Sequence, residues 1–269
     1  MTILKIAVAA FLFCTTSCEA ITITKTQQKT FIFDFDHTIH NSPIPYPELI
    51  GISALGEEKY KSKIPEIHEY YKTLKQQNNL SEVAILQKIM AKYHFKITQK
   101  DLDYSINQVK KYITKDIKST IMKIKSHGHK VIIIGGGTYG CGIIPEVVKT
   151  LGIEKDQIYS GYFKDFTDQS ISKTLFDNYR YTNCGNPDQQ TPISDKKSDL
   201  IKHLKQQNII SEKAIHIGDG ENDLEVWQAS QADLFIGFGV HRIAKKVEKN
   251  APVFVKSMAE LNQKIDELI

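Results

Sequence analysis

Phe31-Ile32-Phe33-Asp34-Phe35-Asp36-His37-Thr38-Ile39 joins a run of aromatic and β-branched residues to two carboxylates. Such a run fits a buried strand in the middle of a sheet. Asp34 and Asp36 stand at i and i+2. In extended chain those positions point the same way, so both carboxylates face one pocket. Like charges that close repel unless a metal ion, a proton or a cationic group intervenes. The competing reading is a strand that runs into an Asp-rich turn, and the rest of the chain decides between the two.

Further buried strands follow the first. Val131-Ile132-Ile133-Ile134 ends in Gly135-Gly136-Gly137-Thr138, and Ala214-Ile215-His216-Ile217-Gly218 ends in Asp219. Gln157 to Gly161, Leu234 to Ile236 and Val253 to Val255 are read as shorter strands. Helices are expected around Ile144 to Leu151, Lys197 to Gln206, Leu224 to Ala229 and Met258 to Leu268. Residues 163–194 are polar and aromatic without a clear period, and read as a hairpin or irregular loop. Strands alternating with helices imply a parallel sheet with right-handed crossovers, whose ligands bind at the carboxyl ends of the strands. Asp34, Gly135 and Asp219 all stand at such ends.

The alternation is interrupted. Pro43, Pro45 and Pro47 favour extended chain, read as a stalk leaving the core. From about Glu57 to His127 the pattern is helical. Ser81 caps one expected helix through Val83, Leu86, Ile89 and Met90. Thr98 with Asp101 resembles a capping box opening a long helix through Ile106, Val109, Ile113, Ile117 and Ile121, stopped by Gly128. The expected organisation is a core from 21–42 and 128–269, with a helical cap inserted at 43–127.

The chain has 269 residues, 41% hydrophobic and 25% charged, which is ordinary for a globular protein. A net charge of +4 suits a small anionic substrate, and no block of Lys or Arg forms a stripe for nucleic acid. Lys5 precedes the apolar run Ile6 to Phe13, and small residues lead to Ala20. Residues 1–20 therefore read as a cleavable secretory signal, placing the mature chain in the periplasm or outside the cell. The apolar run is shorter than the roughly 20 residues a transmembrane helix needs. Lipid attachment at Cys18 is the less favoured alternative, because Thr15-Thr16-Ser17 makes a poor lipoprotein signal. Of the mature cysteines, Cys141 and Cys184 either bridge or remain free thiols; neither has the spacing of a zinc site.

Asp219-Gly220-Glu221-Asn222-Asp223 is a second acidic cluster directly after a buried strand. By itself it reads equally as a turn. Beside a separate acidic pair at another strand end, it reads as part of a site for an oxygen-loving cation such as Mg²⁺.

Together these pieces resemble the haloacid dehalogenase-like superfamily of aspartate-nucleophile phosphatases. Phe31 to Thr38 matches the first motif, Asp-x-Asp-x-Thr after an apolar strand. The strand 131–134 with its glycines stands at the second, Lys197 at the third, and Gly218 to Asp223 at the fourth, Gly-Asp-Gly-x-Asn-Asp. The resemblance implies a Rossmann-like, doubly wound α/β core with an all-helical cap, and a Mg²⁺-dependent phosphomonoester hydrolase.

Asp34 would then be the nucleophile, and Asp36 the acid that protonates the leaving alcohol and later activates water. Lys197 would neutralise charge, with Lys196 as its immediate rival. Asp34, the backbone carbonyl of Asp36 and Asp219 would hold Mg²⁺, with Asp223 supporting it directly or through water. Thr38 would orient the catalytic loop. The family usually places Ser or Thr directly after the second strand, where this chain has Gly135. The N–H groups of Gly135 and Gly136, with the Thr138 hydroxyl, are expected to take over phosphate binding.

The cap position corresponds to phosphoserine-phosphatase-like members, and the first motif also resembles a phosphocholine and phosphoethanolamine phosphatase branch. A small phosphorylated metabolite is the expected substrate. Tyr46, Tyr60, Tyr70, Tyr71, Tyr93, Tyr104 and Tyr112 could present faces to a quaternary ammonium or simply pack helices. A phosphotransferase, or a phospho-ligand binding protein without catalysis, are the alternative functions. His37, His40, His127, His129 and His216 read as structural.

Overall fold

The computed structural model describes residues 27–44, 46–77, 88–89, 92–93, 98–136, 140–161, 181–186 and 196–269. Their strands are β1 (Thr30–Asp34), β2 (Lys130–Ile134), β3 (Ile158–Gly161), β4 (Tyr181–Asn183), β5 (Ala214–Gly218), β6 (Leu234–Phe238) and β7 (Val253–Val255). They form a seven-stranded sheet of order β4-β3-β2-β1-β5-β6-β7. Every pairing is parallel except β3 with β4. β1 lies at the centre, with β2 and β5 on its two sides, so the acidic stretches after β1 and β5 emerge side by side at the same edge.

The described helices are α1 (Tyr46–Leu55), α2 (Glu57–Gln77), α3 (Gln99–Lys110), α4 (Ile117–Ser126), α5 (Gly140–Val148), α6 (Lys197–Gln206), α7 (Glu221–Gln228), α8 (Lys245–Asn250) and α9 (Met258–Leu268). Alternate residues of the central strands go to opposite faces. Phe31, Phe33, Val131, Ile133, Ile215 and Ile217 pack in one cluster with α4, α5 and α9. Ile32, Ile132 and Ile134 pack in another with Leu200, Ile201 and Leu204 of α6 and Val226 of α7. Burial on both faces is why these strands read as continuous apolar runs rather than alternating ones. The architecture is the doubly wound α/β core with added helices that the sequence implies. No helix among the described residues is long and apolar enough to cross a membrane.

α1, α2 and α3 follow β1 and stand over the core. Leu49 and Ile50 of α1 and Leu102, Ile106 and Val109 of α3 share one apolar cluster with Phe33 and Ile144. The expected Thr98 cap forms: its N–H and hydroxyl both donate to Asp101 Oδ2, at 2.8 and 2.6 Å. The helix capped by Ser81 and the leader 1–20 lie outside the described residues.

Two expectations are corrected. The Pro43–Pro47 stretch is not extended throughout, because α1 begins at Tyr46. Pro47 falls in its first turn, where a missing N–H costs no hydrogen bond. The long helix through Ile106 and Ile121 is two helices. Between them Ile113 pairs antiparallel with His40. Asn41 N–H donates to Tyr112 O and Thr114 N–H to Ile39 O, both at 2.9 Å. Asp116 then takes a left-handed φ of 64°. Apolar residues four apart suit a helix on either side of the break, so periodicity did not reveal it. α4, expected within the insertion, packs on β2 and α9.

Cys141 at the start of α5 and Cys184 just after β4 form a disulfide, with their Cα atoms 4.9 Å apart. It fastens the helix that follows the β2 loop to the antiparallel edge of the sheet. The bridge closes a loop with a sequence separation of 43. We expect a Cys141→Ser, Cys184→Ser chain to lose about 2–4 kcal/mol of unfolding free energy in urea. A wild-type urea midpoint unmoved by dithiothreitol would contradict this.

Candidate active site

Asp34 closes β1. It shares the strand parity of Ile32, so its carboxylate goes to the face that α6 covers. Lys197 is the first residue of α6 and only 4% exposed. Its Nζ donates to Asp34 Oδ1 at 2.7 Å and to Asp223 Oδ1 at 2.5 Å. Lys196, the rival, is exposed at the N-cap, so the burial of Leu200 and Ile201 selects Lys197.

Asp223 lies in the first turn of α7. Its Oδ2 accepts the Gly220 N–H at 3.1 Å, and its Oδ1 also pairs with His216 Nε2 at 2.9 Å. Gly218 leaves room for that carboxylate, since a Cβ there would fall 2.3 Å from Asp223 Cγ. One oxygen from each of Asp34, Asp219 and Asp223 lies within 4.8 Å of the other two.

Burial raises the Asp34 carboxyl well above the ordinary carboxylate range. Asp223 raises it further, and Lys197 only partly offsets both. Burial also pushes on Asp223, but Lys197 and His216 outweigh it and hold this carboxyl below the ordinary range. Lys197 is held protonated: burial works against its charge, and Asp223 and Asp34 more than restore it. Asp219 is raised by burial against the pull of Arg242. Lys197 bonds to both carboxyls, yet Asp34 is displaced upward and Asp223 downward.

This cluster is a buried, Asp-rich site that fits a divalent cation. The donors are hard oxygens, which Mg²⁺-like ions prefer. Among the described residues, the Lys and Arg side chains that hydrogen-bond Asp34, Asp219 and Asp223 are Lys197 and Arg242. Asp34 and Asp219 are the carboxylates left most in need of charge. Asp223 already accepts three hydrogen bonds.

The other sequence candidates are placed as follows. Asp36 is part exposed at 38%, and its Oδ1 pairs with His40 Nε2 at 3.0 Å. Its side chain is not among the three clustered carboxylates. Thr38 is fully buried and its hydroxyl has no hydrogen-bond partner among the described residues. Thr138 and Gly137 lie outside the described residues.

Gly135 requires a correction. Its N–H donates to Tyr159 O at 3.1 Å, continuing the β2–β3 ladder, and is not available to a phosphate. Its carbonyl accepts the Ser160 hydroxyl at 2.8 Å. A Cβ at 135 would sit 2.3 Å from Ile144 Cδ1 and 3.0 Å from Phe35 Cβ, so α5 fills the space a Ser or Thr would need. Gly136 has nothing within 4 Å of its Cβ position.

Several site residues escaped the sequence reading. His216 was read as structural, yet it holds the same oxygen of Asp223 as Lys197. Its Nδ1 has no partner among the described residues. Arg242 reaches back from the loop after β6, its Nε and Nη2 at 2.8 and 2.6 Å from Asp219 Oδ2. The available signal was compositional: Arg242 is one of two arginines in a chain that otherwise uses lysine. Tyr181 of β4 is buried within the electrostatic reach of Lys197 and Asp34, its phenol pushed up to about 12 chiefly by burial. Among the cap tyrosines, Tyr60 is buried against Gly51, and the Lys92 ammonium lies 3.9 Å from the Tyr70 ring centre.

No family model matches the chain. Over 164 residues it is 28% identical to the phosphoserine phosphatase of Drosophila melanogaster, covering 61% of this chain and 55% of that protein. The chain thus spans about half the length of that curated relative. Its fold is similar to that of a phosphoserine phosphohydrolase-like protein from Francisella tularensis, at 26% identity and a TM-score of 0.62. That match covers 88% of this chain and 100% of the other. A Burkholderia xenovorans protein assigned to the haloacid dehalogenase-like hydrolases superposes with a TM-score of 0.55 at 11% identity, covering 90% of this chain and 99% of that one. The fold is that of the haloacid dehalogenase-like hydrolases.

Two outcomes follow from this geometry. Gly135→Ser is expected to cost about 1–3 kcal/mol by overpacking. Ile144→Val, which removes Cδ1, should recover part of that loss in a double-mutant cycle read by urea unfolding. Second, Mg²⁺ should raise the melting temperature of the wild type and not that of Asp219→Asn. Asp34 is raised, so joining a cation competes with its proton and the apparent Mg²⁺ affinity by calorimetry should increase as pH rises. An affinity that falls with rising pH would contradict the assignment.

Proposed function

We propose that the chain is a Mg²⁺-dependent phosphomonoester hydrolase acting on a small phosphorylated metabolite through an aspartyl-phosphate at Asp34. The observation that carries this reading is the Lys197 ammonium, buried and bonded at once to Asp34 and Asp223, with Asp219 in the same cluster. A structural ion pair needs one carboxylate; this site gathers three at the strand ends where α/β sheets bind ligands.

Asp34, the backbone carbonyl of Asp36 and Asp219 would hold Mg²⁺, with Asp223 supporting them. When bound, the ion supplies the positive charge that lets a carboxylate approach a phosphate dianion. Asp34 attacks phosphorus while Asp36 gives its proton to the departing oxygen. Asp36 then takes a proton from water, whose oxygen displaces Asp34 from phosphorus. Lys197 stays protonated and stabilises charge on Asp34 and the phosphoryl oxygens. The helices α1 to α3 stand over the core and would limit access to small substrates.

The similarity to proteins named phosphoserine phosphatase supports an amino-acid-like phosphomonoester. A choline headgroup has less support, because Lys92 already lies over Tyr70. The disulfide supports the reading of residues 1–20 as an export signal, since such bridges persist in oxidising compartments.

Asp34→Asn should lower Mg²⁺-dependent phosphate release from an aryl phosphate by at least roughly a thousandfold. The variant should remain folded by circular dichroism. Undiminished turnover in that variant would reject the mechanism. A screen of phosphoserine, phosphoethanolamine, phosphocholine and nucleotides then ranks the substrates.

A further inference from the structure

An acid that serves both halves of the reaction must present one carboxylate oxygen to the substrate and keep it there. We infer that His40 is the positioning residue that does this for Asp36, an inference that rests on the hydrolase reading above. His40 is 2% exposed, and its Nε2 lies 3.0 Å from Asp36 Oδ1. This is the hydrogen bond that the described residues give the Asp36 carboxylate.

The other ring nitrogen fixes the chemistry. The backbone N–H of Ser42 donates to His40 Nδ1 at 3.1 Å. Nδ1 therefore accepts, the ring proton sits on Nε2, and His40 donates to Asp36. The ring is held from the side by Phe35, with centroids 4.5 Å apart. Oδ1 of Asp36 is thus occupied by a directed donor, and Oδ2 is left to handle the proton.

When Asp34 attacks, the bond from phosphorus to the leaving oxygen breaks, and that oxygen takes the proton from Asp36 Oδ2. In the second half, water gives a proton to the same oxygen, its own oxygen bonds to phosphorus, and the Asp34–phosphorus bond breaks. His40 keeps its proton throughout. Without it the carboxylate can rotate about χ2, and either half of the reaction loses alignment.

The backbone of His40 also bridges Asp36 on one side and Ile113 on the other, which fixes where the ring starts.

The test uses the full mature chain and two substitutions. In His40→Gln the side-chain amide nitrogen replaces Nε2 and reaches Asp36. In His40→Asn the side-chain oxygen still accepts from Ser42 but nothing reaches Asp36. With an alkyl phosphate such as phosphoserine, whose leaving oxygen needs the proton, kcat of His40→Asn should fall roughly tenfold or more with KM little changed. With p-nitrophenyl phosphate, whose leaving group needs little protonation, the same variant should show a burst of nitrophenol and trapped phosphoenzyme. His40→Gln should restore most of the wild-type pattern. Absence of that burst with p-nitrophenyl phosphate, or a His40→Gln no better than His40→Asn, would overturn the inference.

A measurement independent of turnover accompanies these. Long-range ¹H–¹⁵N correlation on the metal-free wild type should show His40 as the Nε2–H tautomer, and an Nδ1–H tautomer would overturn the assignment even if His40→Asn did not fold. A wild type with no Mg²⁺-dependent turnover on any phosphate would instead reject the hydrolase reading, and the inference with it.

Discussion

A single ammonium group, Lys197 Nζ, is hydrogen-bonded to two carboxylates that belong to distant parts of the chain. Asp34 ends the central strand, and Asp223 opens the helix after β5. Burying like charges this close is unfavourable unless a cation stands between them. Lys197 occupies that place because α6 begins with it, and because Leu200, Ile201 and Leu204 anchor the helix on the sheet. Moving Lys197 by one residue along α6 would turn its side chain about 100° around the helix axis, away from Asp34.

The sheet supplies the rest of the positioning. β1 pairs with β2 on one side and β5 on the other, all parallel, so the chain reversals after these strands are neighbours in space. Strand parity then sends Asp34 toward α6, while Phe31 and Phe33 go to the opposite layer. The helices α1 to α3 follow the Asp34–Asp36 stretch, and the chain returns beside it through the pairing of His40 with Ile113. Leu49 and Ile50 of α1 and Leu102, Ile106 and Val109 of α3 share one apolar cluster with the sheet, so these helices are packed on the core.

What the sequence made legible was whatever carried its own period or its own chemistry. The buried strands, the acidic stretches after β1 and β5, and the amphipathic α6 are each specified within ten residues. The parts that were not legible depend on contacts between distant segments. The break between α3 and α4 arises because Tyr112 to Thr114 spend their backbone groups on Ile39 and Asn41, and local periodicity carries no trace of that pairing. Gly135 read as an open phosphate contact, yet its N–H belongs to the β2–β3 ladder and Ile144 fills the adjacent space. His216 in an apolar strand looked like a core residue. Its significance comes from Asp223, seven positions later and on another element. Arg242 lies outside every motif, and only the fold brings it to Asp219.

The opposite displacement of the Asp34 and Asp223 carboxyls argues that this cluster was not retained for stability. A buried ion pair costs desolvation that its attraction barely repays, and well-packed apolar residues would serve the fold as well or better. Here three carboxylates gather around one lysine, and Asp223 stays below its ordinary range while Asp34 is left raised. That asymmetry has a chemical meaning. Asp223 is saturated by Lys197, His216 and the Gly220 N–H, so it holds the lysine in place. Asp34 is the undercompensated member, and in the proposed reaction a divalent cation on Asp34 and Asp219 would remove that deficit and favour the ionised carboxylate. The carboxyl that burial disfavours most is the one the proposed chemistry would use as nucleophile.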